Sequence, residues 1–159
     1  MAGPARKLVH DLKYRYYRAI APVMGRLLTE ALPDLVFDAC FVVPLHRSRL
    51  RERGFNQSEL LLQNLPLPQA SPGLARVRRT DRQVGQHLSE RRTNVAGAFV
   101  YAGPSLAGQS VALIDDVVTT GATVHECALV LRDAGAREVW AVAFARASYD
   151  PAATAPIED

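Results

Sequence analysis

Two adjacent carboxylates, Asp115 and Asp116, are the residues of this sequence best suited to chemistry. They directly follow the apolar run 111–114, which predicts a buried strand. Adjacent carboxylates repel each other, so we expect them to meet a magnesium ion or the hydroxyl groups of a sugar. The pair therefore predicts a cation or polyol site at the end of a strand.

A small, hydroxyl-rich turn follows the acids and suits a phosphate group. The periodic apolar segment 124–134 comes next and predicts a helix that starts at this turn. Unpaired amides at a helix N-terminus, together with the helix dipole, favour an anion. The predicted phosphate-binding residues are Thr119, Thr120, Gly121, Ala122 and Thr123. Hydroxyl-binding acids followed at once by a phosphate cradle indicate a site for a ribose 5-phosphate.

Alternating strand and helix patterns predict one α/β domain over residues 1–146, with a mainly parallel twisted sheet flanked by helices. Residues 147–159 are predicted to be a disordered tail. Helices are predicted at 5–32 (ended or kinked at Pro22), 58–65 and 124–134, with Thr123 and Glu126 as a capping box and Gly135 as a C-cap. Strands are predicted at 37–45, 74–77, 94–100, 111–114 and 139–145. Cys40 and Cys127 are isolated in apolar surroundings and are predicted to be core residues.

Basic side chains are concentrated in the first hundred residues, whereas residues 101–159 hold eight acidic and three basic ones. The segment 46–57 is predicted to be an arginine-rich loop, with Gly54 at positive φ, that binds pyrophosphate or another polyanion. Its candidate residues are His46, Arg47, Arg49, Arg51 and Arg53. The polar, basic segment 78–92 is predicted to be a flexible lid, with Arg78, Thr80, Arg82 and Gln83 as candidate ligand contacts. No apolar run has the length of a membrane span, and the N-terminus lacks the apolar core of a signal peptide, so we expect the cytoplasm.

The stretch 111–123 resembles the signature that binds 5-phosphoribosyl 1-pyrophosphate (PRPP) in type I phosphoribosyltransferases. The resemblance implies that Asp115 and Asp116 hold the ribose 2- and 3-hydroxyls, directly or through Mg²⁺, and that Thr119 to Thr123 hold the 5-phosphate. Receiver domains also pair acids after a strand, but they lack such a turn behind the acids. A Walker B strand looks similar, but this chain has no P-loop to complete it.

Three further segments resemble the ComF family, which is associated with natural competence, the uptake of single-stranded DNA by bacteria. They are Val43 to Gln57, with its Arg-Gly-Phe-Asn-Gln ending, the pattern from Arg78 to Val95, and the opening Leu12-Lys13-Tyr14. Typical members carry a four-cysteine zinc module that this sequence lacks, so no function of that module is carried over. Thr119 stands where some purine phosphoribosyltransferases have a carboxylate base, so a hypoxanthine- or guanine-type reaction is not expected.

Two hypotheses follow. In the first, the protein is a phosphoribosyltransferase that binds magnesium and PRPP and acts by positioning and charge stabilisation. In the second, it is a catalytically weak or inactive protein of the same fold that binds single-stranded DNA and DNA-uptake proteins through its basic half. A homodimer is compatible with both, and the nucleophile cannot be read from the sequence.

Overall fold

A computed structural model of the chain describes residues 4–14, 17–32, 34–79 and 95–146. The α-helices in these residues are α1 (Pro4–Tyr14), α2 (Ala21–Ala31), α3 (Arg47–Arg53), α4 (Gln57–Leu62) and α5 (Ala122–Asp133), and a 3-10 turn at Arg18–Ile20 precedes α2. The strands are β1 (Ala39–Val42), β2 (Leu74–Arg76), β3 (Phe99–Tyr101), β4 (Ser110–Val118) and β5 (Glu138–Arg146). No described helix is long and apolar enough to cross a membrane.

The main sheet has the order β1-β4-β5, and both pairings are parallel. Its central strand, β4, is fully buried from Val111 to Ile114, which accounts for the unbroken apolar run in the sequence. Strands β2 and β3 form a separate antiparallel pair. The predicted α/β architecture with a mainly parallel sheet and flanking helices is confirmed.

The two faces of β4 pack against different helices. Ala112 and Ile114 belong to a core formed with α1, α2 and α4. Val111 and Leu113 belong to a second core, formed with α5 through Cys127. Side chains alternate between the two faces of a strand, and this alternation assigns the two following acids to opposite sides of the sheet.

The first predicted helix is two helices in the structure. Helix α1 ends at Tyr14, and α2 begins at Ala21 with Pro22 in its first turn. Proline is well tolerated there because the amide of that position has no intrahelical partner. Pro22 therefore lies at the start of the second helix and does not kink a continuous one.

The prediction of a loop over 46–57 is wrong, because the arginine-rich part forms α3. His46 caps its N-terminus, and Gly54 ends it with φ of 71°, as predicted for that glycine. Arginine has a good helix propensity, so two local caps are sufficient to define a short polar helix.

The caps of α5 differ in part from the prediction. The helix starts at Ala122, with Gly121 as N-cap and no side-chain cap, so the predicted capping box is wrong. Glu126 instead accepts a hydrogen bond from the Gly97 amide at 3.1 Å. The C-terminus ends as predicted at Gly135, where the Gly135 and Ala136 amides donate back into the last turn. Most of the predicted lid, including Thr80, Arg82 and Gln83, and the predicted tail lie outside the described residues.

Candidate active site

Asp115 lies in the carboxyl-terminal half of β4, which continues to Val118, and it lines a small recess. Its Oδ1 accepts hydrogen bonds from the Ser58 hydroxyl at 3.2 Å and from the Asp116 amide at 2.8 Å. The recess offers about 30 Å³ of room for water between this carboxylate and the start of α5. Its other lining residues are Val117, Val118, Thr119, Gly121, Ala122, Thr123 and Val124. The predicted acid and most of the predicted turn thus meet in one place.

The carboxyl group of Asp115 is held in an unfavourable electrostatic environment. Burial, followed by the nearby charge of Asp116, raises the pKa of Asp115 to about 7. The Asp116 amide, Lys13 and the Ser58 hydroxyl each offset part of this effect. A cation or hydroxyl donors in the recess would relieve the remaining cost of ionisation, so Asp115 is suited to a ligand of that kind.

Asp116 faces the opposite side of the sheet and is only 5% exposed. Its Oδ2 lies 2.9 Å from Nζ of Lys13, with 19% of the lysine side chain exposed and 7% of the aspartate. In the described part of the chain this Oδ2 makes no hydrogen bond of good geometry, so its compensation is the charge of Lys13. No pattern in the sequence predicts this contact, because Lys13 and Asp116 are about a hundred positions apart and meet only in the folded protein.

The turn between β4 and α5 keeps its amides accessible. Gly121 adopts φ of 78°, and a Cβ added there would meet no atom of the described residues within 4 Å, so nothing in that part of the chain fills the space above it. Among the amides of residues 119–124, only that of Ala122 has an acceptor within the described part of the chain: its N–H points to Thr120 Oγ1 at a long 3.4 Å. His125 is the first to bond back into the helix, to the Gly121 carbonyl. Such unpaired amides at a helix start are the donors that an anion needs.

Asn56 places Ser58 beside Asp115. The Asn56 side chain is buried, accepts from the Ser58 amide at 3.0 Å and donates to the Val43 carbonyl at 3.1 Å. It therefore caps α4 and ties that helix to the end of β1. Ser58 was not predicted as a site residue, although the Arg-Gly-Phe-Asn-Gln segment just before it was singled out.

We expect Asn56→Ala to lower the free energy of unfolding by about 2 kcal/mol, because it removes a cap and leaves the buried Val43 carbonyl without its donor. Asn56→Ser is the matched control, since it keeps a capping acceptor for α4 and loses the donor to Val43, so it should cost less than the alanine variant. Urea denaturation of the two variants checks this. An alanine variant as stable as the wild type would show that the tie between α4 and β1 is unimportant.

A cluster of guanidinium groups forms next to this site. Burial, together with the neighbouring charges of Arg49 and Arg78, lowers the pKa of Arg76, which also stacks over Phe99 at 5.2 Å. Asp115 and Arg76 both act electrostatically on the buried thiol of Cys127, so the acid and the cation lie around the same part of α5. Arg76 was missed by sequence reasoning, because a single arginine in a short strand carries no pattern.

The other predicted cations do not join this cluster. Arg53 donates to Gln57 Oε1 at 3.2 Å, and Arg47 and Arg51 are exposed. His46 uses Nδ1 to contact the Ser48 hydroxyl and to accept the Ser48 amide at the start of α3. The structure therefore distinguishes Arg49, whose charge acts on the half-buried Arg76, from the other predicted polyanion residues, which are exposed or bonded within α3 and to Gln57.

The parallel sheet, with carboxylates and a glycine–threonine turn at the end of its central strand, defines a phosphoribosyltransferase-type domain. The family model for the phosphoribosyl transferase domain matches residues 53–159. The chain belongs to this family.

Comparison with curated proteins confirms the narrower resemblance to the ComF family. The chain is 33% identical over 157 residues to competence protein F of Haemophilus influenzae, covering 91% of this chain and 69% of that protein. It is 36% identical over 156 residues to the DNA utilization protein YhgH of Escherichia coli K12, covering 87% and 66%. The chain thus spans about two thirds of the length of these relatives.

Among solved structures, the allosteric regulatory enzyme of purine biosynthesis matches with a TM-score of 0.51 at 18% identity. The match covers 80% of this chain and 26% of that one. At this identity the likeness shows the type I fold and nothing finer.

Proposed function

We propose that this protein binds PRPP at the carboxyl end of β4. The observation that supports this most directly is the recess where Asp115 faces amides that have no acceptor among the described residues. The 5-phosphate would lie on the amides of the turn, and the ribose hydroxyls would donate to Asp115. The family to which the chain belongs also supports this substrate.

The residues fit a magnesium ion that arrives with the substrate. Among the described residues, no group of three or more His, Cys, Asp or Glu side chains could hold a metal ion alone. Mg²⁺ commonly uses only one or two carboxylates together with phosphate oxygens and water. Asp115 would contribute the carboxylate, because Asp116 is already paired with Lys13. The ion would neutralise charge on the pyrophosphate.

The arginine cluster would receive that pyrophosphate. Burial lowers the pKa of Arg76 most, and the like charges of Arg49 and Arg78 lower it further. A polyanion bound beside Arg76 would offset both effects. As the bond from the ribose to the pyrophosphate breaks, negative charge grows on the leaving group next to these cations. The protein would thus act by orienting the two parts of the substrate and stabilising the leaving charge, with no covalent intermediate.

Thermal unfolding with added ligand tests the proposal. We expect PRPP with Mg²⁺ to raise the unfolding temperature, because a ligand at a hundred times its Kd adds about 2.7 kcal/mol to stability. Ribose 5-phosphate should give a smaller shift, since it lacks the pyrophosphate. A melting curve that millimolar PRPP and Mg²⁺ leave unchanged would refute binding.

Single-stranded DNA binding is a second candidate. Arg47 and Arg51 are exposed on the same helix that carries Arg49 into the cluster, and together they offer several contacts to a phosphate backbone. The printed names of the two relatives, a competence protein and a DNA utilization protein, agree with this. Affinity that falls steeply with salt would support it.

A further inference from the structure

The ion pair between Lys13 and Asp116 is unusual in how little supports it. Asp116 is 5% exposed, yet its Oδ2 makes no hydrogen bond of good geometry in the described residues and relies on one ammonium at 2.9 Å. Buried carboxylates are usually held by several hydrogen bonds. A buried carboxylate oxygen that meets a single cation is an arrangement in which another cation can take that place.

The partner of Asp116 is a lysine, although arginine is the usual basic residue of this chain. This chain contains seventeen arginines but only two lysines, Lys7 and Lys13, both in α1. Arginine binds a carboxylate through two parallel hydrogen bonds from its planar guanidinium group. The lysine ammonium is a compact point charge, and in this respect it resembles a metal ion. The residue next to Lys13, Leu12, is fully buried in the core, so the backbone that carries the ammonium is well anchored.

The two acids therefore have different surroundings. Asp115 lines the recess with the turn, whereas Asp116 faces α1. We infer that Lys13 is a built-in counter-ion for the acid pair: its ammonium occupies on Asp116 the position that a divalent cation would take. Asp115 is then the carboxylate left for the ligand, and Lys13 and Asp116 are positioning residues. The link to PRPP in this inference rests on the proposed function, but the cation exchange does not.

Divalent-ion binding without PRPP tests the inference. Lys13→Met should lower the unfolding temperature by about 5–10 °C, because it leaves a buried charge unpaired. Mg²⁺ should restore much of that loss, and Mn²⁺, followed by electron paramagnetic resonance, should bind at least about tenfold more tightly than to wild type. Lys7→Met, an exposed lysine on the same helix, is the matched control and should change neither property.

Two further variants make the result decisive. Lys13→Met with Asp116→Asn removes both charges, so it should recover stability and show no Mg²⁺ effect. Lys13→Gln removes the charge but keeps a hydrogen-bond donor. If the methionine variant does not fold, Mg²⁺ stabilisation and Mn²⁺ affinity are measured on the glutamine variant. A folded Lys13 variant that gains neither Mg²⁺ stabilisation nor Mn²⁺ affinity would overturn the inference. Because no PRPP is present, a wild type that fails to bind PRPP would contradict only the proposed function.

Discussion

Asp115→Asn is expected to make the ligand-free protein more stable at pH 8 while abolishing its stabilisation by PRPP and Mg²⁺. Burial and Asp116 raise the pKa of this acid to about 7 in the folded protein, against about 3.9 in an unfolded chain. The unfolded state therefore ionises first, and the free energy of unfolding of the wild type falls as pH rises from about 4 to about 7. Asparagine cannot ionise and keeps the acceptor for Ser58, so it removes this cost.

The expected gain at pH 8 is between about 1 and 4 kcal/mol, the upper figure being the full pKa difference converted to free energy. Urea unfolding at pH 4.5 and pH 8 measures it, and the advantage of the variant should grow with pH. Asp133→Asn, at the exposed end of α5, is the control and should show no such trend. A variant that is less stable than wild type at pH 8, or that still responds to PRPP, would contradict the role given to Asp115.

Such a result would show that Asp115 lowers the stability of the ligand-free protein. The ionised carboxylate of Asp115 would destabilise the ligand-free protein, and a bound cation or hydroxyl donor would remove that cost. This combination is expected of a residue that binds a ligand. A carboxylate kept for structure would be expected to stabilise the folded chain. The sign of the effect thus separates a binding role from a structural one.

The parts of the site that could be predicted from the sequence are local ones. The apolar run, the acids and the turn are consecutive, so the residue types together indicate a strand followed by a helix start. The end of the strand was placed too early, because β4 continues through both acids to Val118. Gly54 and Gly135 were assigned correctly for the same reason, because a positive φ is a property of one residue. By contrast, α3 was missed because alternating arginines give no apolar period, and its formation depends on its two caps.

The parts that could not be predicted are contacts between distant segments. Lys13, Ser58 and Arg76 come from three different elements and reach the acids or the cations only after the sheet has formed. The alternation of side chains on β4 could have shown that Asp115 and Asp116 face opposite ways. It could not have shown that Lys13 is the cation that pairs with Asp116.

Arg49→Gln is expected to weaken PRPP binding by about ten- to a hundredfold, the value of one charge-assisted hydrogen bond in a partly buried site. Arg49 is half-buried and acts on Arg76, whereas Arg51, two residues along α3, is exposed. Arg51→Gln is therefore the matched control and should change PRPP affinity by less than about threefold. Isothermal titration with PRPP and Mg²⁺ measures both, and the unfolding temperatures confirm that both variants fold.

Ribose 5-phosphate sharpens this comparison because it has the ribose and the phosphate but no pyrophosphate. If Arg49 meets the pyrophosphate, Arg49→Gln should leave ribose 5-phosphate binding unchanged. Equal losses for both ligands would place Arg49 at the sugar phosphate. For single-stranded DNA the expectation differs: a backbone track should use Arg49 and Arg51 alike, and each variant should reduce the salt dependence of binding by about one released counterion. If α3 binds PRPP, Arg49→Gln should weaken binding much more than Arg51→Gln. If it binds DNA, the two variants should weaken binding about equally.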